Sequence, residues 1–509
     1  MPDKTKKKKK SKKEEEKVKE KVEEKEESTE EEEEEEEAEQ STEEEESSEE
    51  ASEEASSEPP SDDETEEGDD NHKEHTILEK KKRKKKSKRE ASEDLEHDLH
   101  EGSAKVAADD VAAPAATSAP PRILRSRSVK VKPVVKDLTK ADEKYCTELL
   151  AKARDAPRYM QWVSKINPKG EVQARLICVG KYRVYSIKKT KLVGKHSIAR
   201  EGHMFDINLV ESASPDEVVI HFERDANREK FVIDIEGDRT GTEIVNHINT
   251  AFASYSLNFT ERYLIEFAVE PPSRLKPLPA LDENSTLAGG FIAVYKAFCN
   301  YYQMPVSEAL IAYVENLVGR GVTTLDLDAF AHEYRLKPIV HALKHNVYFK
   351  RFVLSDVQRE TAVSAIAVSL IKNATLEDIV VRNVDAKYEG FISMGKVLAG
   401  NIRLALRHID FSHCKMEDKG AKAFASGLEK TKLPLLSLRL NDVGIGEVGA
   451  LSIVKAVAGN ECLKGMHVLE LSDNPLRASS KTLAQYLSSR DDTQPLQLNI
   501  AGSEAALPV

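Results

Sequence analysis

Aromatic side chains are scarce in this chain, at 6% of 509 residues with a single tryptophan, Trp162. Its five cysteines (Cys146, Cys178, Cys299, Cys414, Cys462) show no CxxC spacing. That excludes a cysteine metal knuckle and a disulfide framework, and predicts reduced thiols in a cytoplasmic protein. No stretch approaches the roughly 18 apolar residues of a membrane span, and no apolar segment follows the basic start "MPDKTKKKKK" as a secretory leader would require. Histidines are dispersed, and "HDLH" (His97 to His100) sits in a polar tract with nothing to fix its geometry. With no Walker loop, no GxSxG and no motif-placed pair of carboxylates, the chain is expected to be non-enzymatic, with no cofactor and no metal.

What is abundant is charge, concentrated at one end. Residues 1–100 hold 22 of the 76 Lys and Arg but 41 of the 90 Asp and Glu, a net charge of −19, leaving +5 for the remainder. Basic blocks ("KTKKKKKSKK" and "KKKRKKKSKR"), a Glu/Ser tract from Glu14 to Asp70 and an Ala/Pro/Ser stretch cannot bury enough apolar surface to offset chain entropy. Residues 1–140 are therefore expected to form a disordered acidic and basic tail. Lys80 to Arg89 would suit nuclear import or nucleic-acid contact, and Ser47, Ser48 and Ser52 beside glutamates would suit phosphorylation. No specific nucleic acid is expected as a partner.

From Met160 short apolar alternations recur: "MQWVSKIN", "VQARLICVG", "KYRVYSIKK", "HMFDINLVES", "EVVIHFE" and "KFVIDI". A helical pattern follows, with Ile244, Ile248, Phe252 and Tyr255 on one face. Antiparallel strands closed by one C-terminal helix are the plan of a pleckstrin-homology (PH) β-barrel, placed at 155–262. Anionic phospholipid would meet its basic residues: Lys165 and Lys169 around the first turn, and Lys188, Lys189, Lys191 and Lys195 in the loop "KKTKLVGK". The usual Arg-x-Arg arrangement is missing, because Ile177 stands two residues after Arg175, so diffuse attraction is expected. Residues 263–320 read as a Pro-rich joint followed by two short helices.

Residues 321–509 carry a repeat. "VTTLDL", "FKRFVL", "LEDIVV", "LRHIDF", "LLSLRL", "MHVLEL" and "PLQLNI" begin at Val322, Phe349, Leu376, Leu406, Leu435, Met466 and Pro495, at intervals of 27, 27, 30, 29, 31 and 29. Helical patterns lie between them, as in an α/β leucine-rich-repeat horseshoe with a parallel sheet inside and helices outside. Val357, Val384, Cys414, Val443 and Asn474 take the inward position after each strand, and Arg382, His413, Arg439 and Asp442 are candidates for a partner-binding concave face. One motif competes with this reading: Gly444, Gly446 and Gly449 form GxGxxG between strand and helix. A shift of 29 residues lays Met416, Gly420 and Ala421 over Ile445, Gly449 and Ala450, so the repeat explains these glycines better than a nucleotide does.

The succession "IVNHINTAF", "GGFIAVYKAFCNYYQMP", "TLDLDAF" and "LKPIVHALKHNVYFKRFVLSD" resembles the N-terminal half of the CARMIL family over about residues 150–500. The resemblance implies a regulator or scaffold of actin assembly at the cell cortex and plasma membrane, with weak lipid binding by the PH domain and protein binding by the repeats. It also implies actin capping protein and actin-regulatory proteins as partners. The family's capping-protein motif, proline-rich myosin-binding segment and dimerisation domain have no counterpart here. The last strand motif, "PLQLNI", has no helix after it, about six and a half repeats in all, and so a truncated C-terminus is expected. The alternative is a general leucine-rich-repeat adaptor, perhaps nuclear, whose charged tail binds histones or nucleoproteins.

Overall fold

The computed structural model describes residues 136–505 except 168–170, 191–193, 224–230, 261–262, 282, 331, 358–359 and 491–494. The tail serines, His97, His100, Lys80 to Arg89, Lys169 and Lys191 lie outside the described residues.

Helix α1 (Lys140–Lys152) is started by a capping box: Thr139 Oγ1 accepts the Asp142 N–H at 3.3 Å, and the Asp142 carboxylate accepts the Thr139 N–H at 3.1 Å. Its buried Cys146 and Leu150 cover a small apolar cluster of Trp162, Leu176, Cys178, Tyr185 and Ile187. Beneath it, strands β1 (Tyr159–Ile166), β2 (Val172–Val179), β3 (Arg183–Lys189), β4 (His196–His203), β5 (Ile207–Ser212), β6 (Glu217–Phe222) and β7 (Phe231–Glu236) lead into helix α2 (Thr240–Ala253) and strand β8 (Glu266–Val269). The sheet order is β4-β3-β2-β1-β7-β6-β5-β8, with β8 added parallel to β5 and all other neighbours antiparallel. Side chains alternate across the pleat. Val163, Ile177 and Val179 therefore face the main core with α2, while Trp162, Leu176 and Cys178 face α1.

Two strands were not foreseen. β4, "HSIAREGH", is polar because it is an edge strand with little apolar surface to place. β8 has four residues, and it fills the β5 edge that another strand would otherwise be free to join. The joint that follows is fastened rather than loose: Arg274 reaches Ser212 Oγ (3.0 Å), Ser214 O (2.8 Å) and Thr242 Oγ1 (3.3 Å), and its own carbonyl accepts from Asn246 (2.9 Å).

Helices α3 (Phe291–Tyr301) and α4 (Glu308–Gly319) precede the repeats. Strands β9 (Thr324–Asp326), β10 (Arg351–Ser355), β11 (Asp378–Arg382), β12 (His408–Asp410), β13 (Ser437–Arg439), β14 (Val468–Glu470) and β15 (Gln497–Asn499) pair in sequence as one parallel sheet. Thr324, Arg351, Asp378, His408, Ser437, Val468 and Gln497 stand in register, reproducing the intervals 27, 27, 30, 29, 31 and 29. Between the strands run α5 (Leu336–Lys344), α6 (Ala362–Leu370), α7 (Tyr388–Gly400), α8 (Glu417–Lys430), α9 (Glu447–Gly459) and α10 (Ser480–Ser488).

Asparagines knit successive units together. Asn373 Nδ2 donates to Leu343 O (2.7 Å), Asn401 Nδ2 to Leu370 O (2.6 Å) and Asn460 Nδ2 to Leu428 O (2.7 Å), each satisfying a helix-end carbonyl of the preceding repeat. Cys414 and Asn474 are buried as expected, with Cys414 Sγ donating to Val381 O and Asn474 Nδ2 to Leu440 O at 2.7 Å. A single apolar core runs from the first sheet through α3 into the last repeats. Where sheet and repeats meet, Arg183, 4% exposed, donates to Asn300 Oδ1 (2.9 Å) and Asn300 O (2.8 Å), while Asn300 Nδ2 donates to Ala153 O (2.6 Å).

Candidate functional site

The β1–β2 and β3–β4 connections leave the sheet at the same end, since Ile166 pairs with Val172 and Lys189 with His196. Lys165 sits there, half-buried at the end of β1. Burial, then the nearby Arg175 and Arg200 guanidinium groups, lower its pKa. Three cations from β1, β2 and β4 thus converge, and Arg175 Nε is buried with no hydrogen-bond partner among the described residues. The sequence reading looked for basic residues two apart on one strand and missed a cluster spread over three.

Lys188 and Lys189 belong to strand β3 rather than to a loop. Lys188 and Lys195 are exposed, but Lys189 Nζ lies 3.3 Å from Asp142 Oδ1. Asp142 is itself 1% exposed and also meets His196 Nε2 (2.6 Å) and the Trp162 indole N–H (3.0 Å). Burial acts to raise its pKa, yet hydrogen bonds from Trp162, Thr139 and His196 prevail and hold the carboxyl well below the usual carboxylate range. Tyr145 stacks on His196 with ring centroids 4.7 Å apart, and Lys136 Nζ lies 4.6 Å from the Trp162 ring centroid. No sequence signal marked this node, because its members are far apart on separate elements.

The residues expected to line a concave face are engaged with one another and with their neighbours. Arg382 Nε on β11 donates to Asp410 on β12 (2.7 Å), and Arg439 Nε on β13 to Glu470 on β14 (3.0 Å). Arg351 pairs with Asp378 in the same sense, cation first and acid one repeat later. Cation and acid thus alternate along successive strands at these positions. His413 and Asp442 face each other at 3.4 Å. Both belong to a series with positive φ after the strand: Asp356, Asn383, His413, Asp442, Asp473 and Gly502. Residue types that tolerate the left-handed region recur at this position, so backbone geometry accounts for these two side chains.

The glycine motif is filled from within. Asp418 Oδ1 accepts the N–H groups of Gly446 (2.7 Å) and Gly449 (3.1 Å) at the start of α9, and a Cβ on Gly449 would come within 2.4 Å of that oxygen. A protein carboxylate occupies the anion position a phosphate would take.

Parallel inner strands with outer helices at a 27 to 31 residue period define a leucine-rich-repeat-like fold, joined here to an eight-stranded sheet. No family model matches the chain. Among curated proteins, Protein CARMIL of Dictyostelium discoideum is 23% identical over 374 residues, covering 71% of this chain and 35% of that protein. Capping protein, Arp2/3 and myosin-I linker protein 3 of Homo sapiens is 25% identical over 231 residues, covering 44% and 17%. The Rho GTPase-activating protein gacW of Dictyostelium discoideum is 21% identical over 376 residues, covering 71% and 32%. The first two similarities support a CARMIL-like relationship, and the chain spans about a third or less of the length of all three proteins. Among the described residues no helix is long and apolar enough to cross a membrane.

Proposed function

We propose that this chain is a non-enzymatic scaffold of actin filament assembly at the plasma membrane. The observation that carries this reading is the similarity to a protein named as a linker of capping protein, Arp2/3 and myosin-I, together with CARMIL of Dictyostelium. In this reading residues 155–262 act as a PH-type domain, 263–320 as a joint and 321–509 as a protein-binding horseshoe.

The lipid-facing half is supported by Lys165, Arg175 and Arg200 converging at the end of the sheet from which exposed Lys188 and Lys195 also project. Each basic group near an anionic surface contributes about 1 kcal/mol. The full chain is expected to cosediment with phosphatidylserine-containing vesicles, and Lys188→Glu with Lys195→Glu to weaken that binding at least tenfold. On the concave face, full-length chain used as bait is expected to retain capping protein or actin, and Arg382→Glu with Arg439→Glu to release it. Retention of neither, with vesicle binding intact, would remove the actin half of the proposal.

A further inference from the structure

We propose that the trough between helices α7 and α8 is a docking site for an acidic amphipathic helix of a partner protein. The trough has a volume of about 640 Å³ and is lined only by α7, α8 and the turn after α7. Two glycines make its floor: a Cβ on Gly395 would collide with Ala423 O, and one on Gly427 with Gly395 O, so the two helix backbones meet there with no side chain between them. Half-buried Ile392 and exposed Ala399 lie along it. At its end stands Ile402, at 57% the most exposed large apolar side chain among the described residues. Such a side chain is stabilised by being covered.

Charge selects what covers it. The lining carries two cations, Lys396 and Lys430, and no carboxylate. Elsewhere in the repeats Lys350, Arg351, Arg382, Lys387 and Arg439 are each matched to an acid. Lys396 and Lys430 have no such match among the described residues, and neither do Arg403, Lys422 and Lys432, their neighbours in sequence. An acidic partner is the complement of this surface.

The trough also selects a helix. Its lining up to Gly400 and from Ala423 onward is helical, so no sheet edge is offered to an extended peptide. From Ile392 to Gly400 the axis of α7 runs about 12 Å, enough for the i, i+4 and i+7 apolar side chains of a docked helix. Acidic residues on the flanks of that helix then reach both lysines. A flat lipid surface would meet the lysines and leave the trough unfilled. None of the lining residues belongs to a strand or to the first sheet, so this occupant is additional to the ligands proposed above.

The test uses the full chain and a fluorescein-labelled peptide of about 18 residues, with leucines at i, i+4, i+7 and i+11 and glutamates on its flanks. Fluorescence anisotropy is expected to show binding that Lys396→Glu with Lys430→Glu weakens at least tenfold and Ile402→Ser weakens about fivefold. The unfolding midpoints of these surface variants should match the wild type. A second peptide with lysines in place of the glutamates should ignore the wild type and bind the double lysine variant. A benzophenone on the leucine face of the first peptide should cross-link to residues 388–402 or 417–430, read by mass spectrometry.

No binding of the acidic peptide overturns the proposal, as does affinity indifferent to all three substitutions or a cross-link confined to other residues. If the peptide fails while phosphatidylserine vesicles bind and the lysine reversals release them, the surface belongs to a membrane. If it fails while sedimentation shows a dimer that Ile402→Ser dissociates, the occupant is a second copy of this chain. Should a variant misfold, the cross-link map and the wild-type preference between the two peptides decide the matter.

Discussion

The carboxylate of Asp418 caps the helix that begins one repeat later, accepting the Gly449 N–H at 3.1 Å, and the missing side chain of Gly449 makes the room. Gly446, the N-cap of that helix, has no side chain of its own to do this. Asp418→Ala is therefore expected to cost about 1 kcal/mol, the usual worth of an N-cap. Gly449→Ala should cost a similar amount by pushing the same carboxylate out. The double variant should be no worse than the poorer single one, and a double-mutant cycle in urea measures the coupling.

Asn373 is 1% exposed and ties two repeats together, so its loss strands several backbone groups at once. Leu343 O loses a donor, and the Thr375 and Leu376 N–H groups, now held at 2.8 and 2.7 Å, lose their acceptor. Asn373→Ala is expected to destabilise the array by about 3 kcal/mol. Asn373→Asp keeps the acceptor and should restore part of the loss in chemical denaturation.

Arg183 is the hydrogen-bonding bridge between the first sheet and α3. Its removal leaves the buried Asn300 without its charged donor, at a cost of about 2 kcal/mol. With the wild type, Trp162 fluorescence and far-ultraviolet circular dichroism should trace one coincident unfolding transition. In Arg183→Ala the two probes should separate, with the sheet unfolding first.

Acid should reach Asp142 after the ordinary carboxylates. Its carboxyl is more acidic in the folded protein than in the unfolded chain, where the usual value is about 4. The stability it contributes is complete above that value and is lost as pH falls below it toward the folded value. Trp162, the lone tryptophan, donates to this carboxylate and reports the change. Emission is expected to stay constant through about pH 4, where ordinary carboxylates titrate, and to shift only well below it. Asp142→Asn should show no such late step.

The repeat sheet was legible because a period needs only regular spacing: every interval between strand motifs reappears in the sheet register. The helix face Ile244, Ile248 and Phe252 was legible for the same reason, and all three are buried, as is Tyr255, which lies just beyond the helix end. β4 escaped because an edge strand is polar, and α1 because charged residues are as many as its apolar ones and blur the apolar face. The asparagine bonds had a signal that went unused, since Asn373, Asn401 and Asn460 each precede a leucine by three positions. Asp142, Trp162 and His196 had none, and Lys189 looked like a free loop lysine until the structure placed a carboxylate against it.

The three-way bond of Arg183, Asn300 and Ala153 takes away the torsional freedom that a proline-rich joint usually grants. No slip plane is left between the first sheet and the repeats, because one apolar core fills both. Anchoring the sheet at a single point therefore sets the heading of all seven parallel strands of the repeats.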